Sequence, residues 1–242
     1  MLRVHSYESM GTFDGPGLRL VVFLQGCNFR CLYCANPDTI DPKGECKVTN
    51  IEDIVKMAVS QKPFFGKKGG VTFSGGEPTL QAKELIPLCR QLKENNIHIC
   101  IDTNGSIWNR DVEELFEIAD LVLLDVKQFN PERHRLLTSR ENTQTLTTAK
   151  WLEMHNRPFW LRYVLVQGYS AIEKDIRALG ECMGDYKMIQ RVEVLPYHTL
   201  GVHKYEAMGL KYELSGIKEN TPQQLEEAKR LFEEYFSNVY VN

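Results

Sequence analysis

From residue 18 to residue 196 the chain repeats one pattern: a short, nearly continuous apolar run, a polar turn, then a longer stretch with apolar positions three and four apart. The runs are Leu18–Gln25, closing on Gly26, then Gly70–Ser74, Ile97–Ile101, Leu121–Val126, Phe159–Val166 and Arg191–Leu195. Apolar runs of this length, without strict alternation, predict strands buried on both faces. The stretches between them predict helices near 49–61, 80–95, 111–118, 143–155 and 171–182, followed by a last amphipathic helix over 222–236. Thr49-Asn50-Ile51-Glu52 has the spacing of a capping box. Pro222 after Thr221 is a helix start, and Pro87 is expected to kink or split its helix.

Repeated strand–helix units with buried strands imply a parallel sheet with right-handed crossovers. About eight such units close a barrel; six predict an α/β fold that is an open, partial (β/α)6 barrel. No low-complexity linker interrupts it, so residues 1–242 are expected to form one domain.

Composition narrows the class without naming a chemistry. The chain is 43% hydrophobic and 25% charged, as ordinary globular proteins are. Its net charge of −3 points to neither nucleic acid nor an anionic membrane as partner. Met1–Glu8 lacks the apolar core of a signal peptide, and no run approaches bilayer-spanning length. Seven cysteines is an odd number, and Cys46, Cys89, Cys100 and Cys182 are scattered. These four are expected to be structural thiols. The set argues against a disulfide framework and for a reducing cytoplasm.

The other three cysteines, Cys27, Cys31 and Cys34, are spaced Cys-x3-Cys-x2-Cys just after the first strand. A four-iron, four-sulfur cluster normally takes four thiolates. Three would leave one iron open, as catalytic metal sites are. By spacing alone, a structural zinc site with a histidine such as His5, or plain buried thiols, remain alternatives, because ligand softness does not separate zinc from iron–sulfur.

In parallel α/β folds ligands sit at the carboxyl ends of the strands. Those ends here carry Ser74-Gly75-Gly76-Glu77-Pro78, Asp102-Thr103-Asn104-Gly105, Asp125-Val126-Lys127, Arg162 and Leu195-Pro196-Tyr197-His198. All are expected at one rim with the cysteine loop. Two adjacent glycines let backbone approach a ligand closely, and Glu77 adds a carboxylate that an ammonium group would pair with. Asp125 and Lys127 fall on the same side of their strand.

Cys27-x3-Cys31-x-Tyr33-Cys34 followed by a Gly-Gly-Glu loop resembles the radical S-adenosylmethionine (SAM) superfamily. Gly11–Gly17, Gln25-Gly26-Cys27, Thr72–Pro78, Asp102–Gly105, Leu124–Lys127 and Leu195–His198 are, in order, similar to the activating enzymes of glycyl-radical enzymes. The resemblance implies a 4Fe–4S cluster on Cys27, Cys31 and Cys34. It implies SAM on the open iron, with its amine held by the loop of Gly75, Gly76 and Glu77. Tyr33, Cys34 and Ala35 would lie along the adenine, Asp125, Val126 and Lys127 beside the methionyl and ribose groups, and His198 at the ribose end. Asp102 and Thr103 would support a monovalent cation, and Asp14 would meet a glycine loop of the protein substrate, with Arg162 a further substrate candidate.

The implied activity is reductive cleavage of SAM and abstraction of a glycine hydrogen by the 5′-deoxyadenosyl radical. It further implies anaerobic life and flavodoxin or ferredoxin as electron donor. Ala35 departs from the family's usual histidine. Only Cys46 lies between Cys34 and Val71, so the cysteine-rich insert of other activases is missing, which favours the pyruvate formate-lyase type. The alternatives are an activase of another glycyl-radical enzyme and, in a different class, a zinc-stapled binding module.

Overall fold

A computed structural model describes residues 1–241. The strands are β1 (Leu2–Gly11), β2 (Arg19–Leu24), β3 (Lys47–Thr49), β4 (Gly70–Gly75), β5 (His98–Thr103), β6 (Leu121–Asp125), β7 (Phe159–Leu165), β8 (Ile189–Pro196) and β9 (Val239–Val241). The helices are α1 (Ile51–Phe65), α2 (Ala82–Glu94), α3 (Arg110–Ile118), α4 (Pro131–Thr138), α5 (Thr143–Met154), α6 (Glu173–Met183), α7 (Val202–Ala207) and α8 (Pro222–Glu233). The chain divides into two compact units, one of residues 1–28 and 39–123, the other of residues 29–38 and 124–242. The division falls inside the cysteine loop and inside β6.

In the first unit the strand order is β3-β1-β2-β4-β5-β6. β2, β4 and β5 run parallel, with Val22 opposite Phe73 and Phe73 opposite Ile101. Leu20, Val22, Val71, Phe73, Ile99 and Ile101 are fully buried, which accounts for their apolar run pattern. β1 is antiparallel to β2, with register shifts on both sides of Ser6–Glu8. In the second unit β7, β8 and β9 are parallel neighbours, and Val126 N donates to Arg162 O just past β6 (3.0 Å). Leu161, Tyr163, Val192 and Val194 fill its core. The strand order ends on β3 in the first unit and on β9 in the second. The six expected strands are all present as β2, β4, β5, β6, β7 and β8.

Three local expectations need correction. Thr49 ends β3 rather than capping a helix; Asn50 is the N-cap of α1, it makes no side-chain cap bond, and the helix runs on to Phe65. α2 continues through Pro87 without a break, because its apolar face (Leu85, Ile86, Leu88, Cys89 and Leu92) is buried on both sides of the proline. β1, β3, β9, α4 and α7 are additional to the elements that the apolar pattern predicts.

Candidate active site

In the first unit the Gly-Gly pair is laced to the residue that precedes Cys27. Gly76 N donates to Leu24 O (2.9 Å), Glu77 N to Gly26 O (2.7 Å), and Gly26 N to Thr39 O (2.7 Å). Gly75 and Gly26 hold left-handed backbone, at φ 109° and 104°, where side chains are strained. Gly76 is required for space instead: a Cβ there would lie 2.1 Å from Gly26 O and 3.0 Å from Thr39 O.

Glu77 lies at the end of β4, but its carboxylate is engaged within the protein. Oε1 accepts from Thr79 N (3.0 Å), Thr79 Oγ1 (2.6 Å) and Thr103 Oγ1 (2.7 Å), while Oε2 accepts from Asn104 N (2.8 Å). Burial pushes this carboxyl up, against the pull of the same donors. Glu77 thereby ties the Gly-Gly loop to the end of β5. Ser74 Oγ donates to Asp102 (2.6 Å) on that same strand end. Asn104 donates to Asn28 Oδ1 (3.1 Å), and Asn28 donates to Ser106 Oγ (2.7 Å). Asn28 and Ser106 carry no motif signal in the sequence, although Asn28 directly follows Cys27.

In the second unit the residues around Cys31 and Cys34 rest on α4. Arg30 N donates to Thr138 O (2.9 Å) and Leu32 N to Leu137 O (2.9 Å). The Cys31–Cys34 turn closes with Cys34 N donating to Cys31 O (3.1 Å). Lys127 Nζ pairs with Asp125 Oδ2 (2.9 Å) and stands 5.7 Å from the centre of the Tyr33 ring. Burial pushes the Lys127 ammonium down, but Asp125, Tyr33 and Cys31 together hold the group well above its usual range. Val126, between them, is fully buried.

Ala35 and Asn36 are covered by the segment leading into α7. A Cβ on Gly201 would stand 2.7 Å from Ala35 Cα, and Lys204 Nζ donates to Asn36 Oδ1 (2.9 Å) and Asp38 Oδ1 (3.1 Å). Beneath lies a tyrosine cluster in which Tyr197 and Tyr212 share a hydrogen bond (2.8 Å) and Tyr33 and Leu32 pack at the edge. Arg162 pairs with buried Glu193 on β8 (3.3 Å). His198 is exposed, one residue beyond buried Tyr197. Tyr205, Tyr212 and Lys204 carry no periodic signal; only their nearness to the Leu195–His198 motif, which contains Tyr197, could flag them.

The residues fit a thiolate-bound cluster and its nucleotide. Cys27, Cys31 and Cys34 all keep their thiols outside any disulfide. Burial pushes the Cys34 thiol up, opposed by the Asn36 N–H. The Tyr33 hydroxyl is shut off from solvent with no hydrogen-bond partner, and buried orphans of this kind ask for a ligand. Among the described residues no three His, Cys, Asp or Glu side chains gather as ligands of a single metal ion. A 4Fe–4S cluster spreads its thiolates over separate irons. Among the described residues no helix is long and apolar enough to cross a membrane.

Comparison with known proteins agrees with the motifs. The Radical SAM superfamily profile matches residues 21–179. The chain is 45% identical over 240 residues to the pyruvate formate-lyase 1-activating enzyme of Escherichia coli K12, covering 98% of this chain and 97% of that one. It is 42% identical over 248 residues to the pyruvate formate-lyase-activating enzyme of Streptococcus mutans, covering 98% and 94%. In fold it is similar to Streptococcus suis SuiB bound to S-adenosylmethionine, with a TM-score of 0.73 at 16% identity over 93% of this chain and 50% of that one. The family works with a 4Fe–4S cluster and SAM. The chain belongs to the radical SAM superfamily and, within it, to the family of pyruvate formate-lyase-activating enzymes.

Proposed function

We propose that this chain, acting as one radical SAM domain over residues 1–242, activates pyruvate formate-lyase by placing a radical on one of its glycines. The observation that carries the proposal is the seat at Gly76, a stretch of main chain closed to any side chain and hydrogen-bonded to the residue before Cys27. Cys27, Cys31 and Cys34 would hold the cluster and leave one iron for SAM. When bound, the reduced cluster and SAM supply a 5′-deoxyadenosyl radical by one-electron cleavage of the C5′–S bond.

The protein's own part is positioning and shielding. Gly75 and Gly76 let the methionyl amine approach the main chain, and Glu77 holds that loop rigid against β5 rather than touching the ligand. Asp125 and Lys127 form a half-buried pair of opposite charge that can orient the methionyl and ribose groups. Tyr33, with Cys34 and Ala35, offers an aromatic face and an unsatisfied hydroxyl to the adenine, and His198 lies toward the ribose. Asp102 and Thr103 offer oxygens to a monovalent cation. Asp14 meets the substrate's glycine loop, with Arg162, held by Glu193, a weaker candidate on the substrate side. An electron donor such as flavodoxin or ferredoxin completes the cycle in an anaerobic cytoplasm.

The test is anaerobic incubation of the cluster-loaded enzyme with SAM, a reductant and pyruvate formate-lyase, watched by electron paramagnetic resonance. The expected result is an organic radical on the partner, absent without SAM. A loaded enzyme that cleaves SAM yet leaves the partner free of radical would sink the proposal and favour a different protein substrate.

A further inference from the structure

The first unit contains a fully buried arginine that the chemistry above does not use. Arg19 opens β2 at 0% exposure, directly after the loop Thr12-Phe13-Asp14-Gly15-Pro16-Gly17-Leu18. Its guanidinium is directed at that loop and at β4. Nη1 donates to Pro16 O (2.9 Å), Nε to Thr72 Oγ1 (2.5 Å) and Nη2 to Val71 O (2.7 Å). The Thr72 hydroxyl, having accepted from Arg19, donates to Asp14 O (2.6 Å). The carbonyls on both sides of Gly15 are therefore fixed by one arginine and one threonine.

The glycines explain how the loop lies flat on this anchor. Gly15 has φ 118° and passes so close that a Cβ would meet Cys100 Sγ at 3.0 Å and Arg19 Nε at 3.3 Å. Gly17 has φ 72°, with Gly69 N 2.5 Å from where its Cβ would be. Cys100, expected from the sequence to be a structural thiol, is the buried floor under Gly15. A guanidinium donates five N–H bonds in a rigid planar fork, so main chain held this way keeps one shape. Phe13, beside Asp14 at the tip, is 65% exposed and belongs to the part of the loop that the anchor presents.

We infer that Arg19 and Thr72 are positioning residues that fix how the Thr12–Leu18 loop is presented to the protein substrate. This rests on the proposal above that Asp14 lies on the substrate side. Neither residue touches the reacting groups, so their loss should act on partner recognition and leave SAM cleavage alone.

The experiment compares Thr72→Val, Thr72→Ser and Asp14→Ala in cluster-loaded enzyme, with partner-free SAM cleavage and partner-dependent radical formation measured separately. Losing the two hydrogen bonds of the Thr72 hydroxyl, from Arg19 Nε and to Asp14 O, should raise KM for pyruvate formate-lyase about five- to tenfold in Thr72→Val. Its kcat and its partner-free SAM cleavage should stay within about twofold of wild type, and Thr72→Ser should restore KM. Should Thr72→Val fail to fold, Arg19→Lys carries the same test, since an ammonium keeps the charge but loses the fork.

The inference is overturned if Thr72→Val keeps the wild-type KM, if Thr72→Ser is as impaired as Thr72→Val, or if SAM cleavage falls along with KM. A raised KM in Asp14→Ala alone would discard the anchor and keep Asp14 on the substrate side. A raised KM in Thr72→Val alone would keep the anchor and remove Asp14 from contact.

Discussion

Replacing Gly76 with alanine tests the core of the first unit's site. Ordinary contact begins near 3.4 Å, whereas the new Cβ would lie 2.1 Å from Gly26 O and 2.6 Å from Gly26 C. Both obstructing atoms belong to the Gly26 carbonyl, whose oxygen accepts from Glu77 N, so the two segments must separate by roughly 1 Å. Overpacking of this kind costs about 1–3 kcal/mol. Losing the Glu77 N–Gly26 O bond (2.7 Å) adds about 0.5–1.5 kcal/mol. The expected loss is about 2–4 kcal/mol, or a fall in Tm of about 5–15 °C for a chain of this size. Because Gly26 precedes Cys27, cluster content after anaerobic reconstitution should drop, and SAM affinity with it. Calorimetry with SAM, iron and sulfide assays and a thermal melt give the three readouts. Gly216, where a Cβ would meet nothing within 4 Å, is the control, and Gly216→Ala should change none of them. Gly76→Ala with wild-type melting and wild-type SAM affinity would refute the seat at Gly76.

Three further outcomes follow from the site. Cys31→Ala should give a folded protein poor in iron and sulfide, since the cluster needs all three thiolates; near-wild-type iron content would remove Cys31 from the ligand set. Asp125→Asn keeps volume but strips Lys127 of its charged partner 2.9 Å away, so SAM affinity should fall about tenfold or more while cluster content survives. Unchanged binding by calorimetry would return the pair to a structural role. Lys204→Met breaks a partly exposed clamp on Asn36 and Asp38 worth about 0.2–1 kcal/mol. The melt should hardly move, yet the cluster should bleach in air several-fold faster by visible absorbance, and an unchanged bleaching rate would dismiss the clamp.

What the sequence made legible was the set of elements whose burial follows from their own residues. β2, β4, β5, β6, β7 and β8 are each built on an apolar run, and each is visible as one. β1 is hidden because its outer half, Glu8-Ser9-Met10, is exposed and its pairing with β2 carries irregular register. α4 has only eight residues and a polar composition, although Asn130 before Pro131 is a start signal in the sequence, and Asn130 Oδ1 does cap it by accepting from Arg133 N (3.0 Å).

At the site, the motif residues are legible as a set, but the partner of each depends on residues far away in the chain. Glu77 reads as a ligand carboxylate, and only the meeting with Thr103 and Asn104 reveals it as a brace. Arg19 looks like one polar residue at the start of an apolar run. Its burial is tolerable because Val71 and Thr72, more than fifty positions later, bring their acceptors to it.

The most direct measurement follows one hydrogen atom. Pyruvate formate-lyase with its radical-site glycine deuterated at the α-carbon is mixed anaerobically with the loaded enzyme, SAM and reductant, and the 5′-deoxyadenosine is weighed by mass spectrometry. Direct abstraction places deuterium in 5′-deoxyadenosine in step with radical formation on the partner. Radical formation with unlabelled 5′-deoxyadenosine would contradict it.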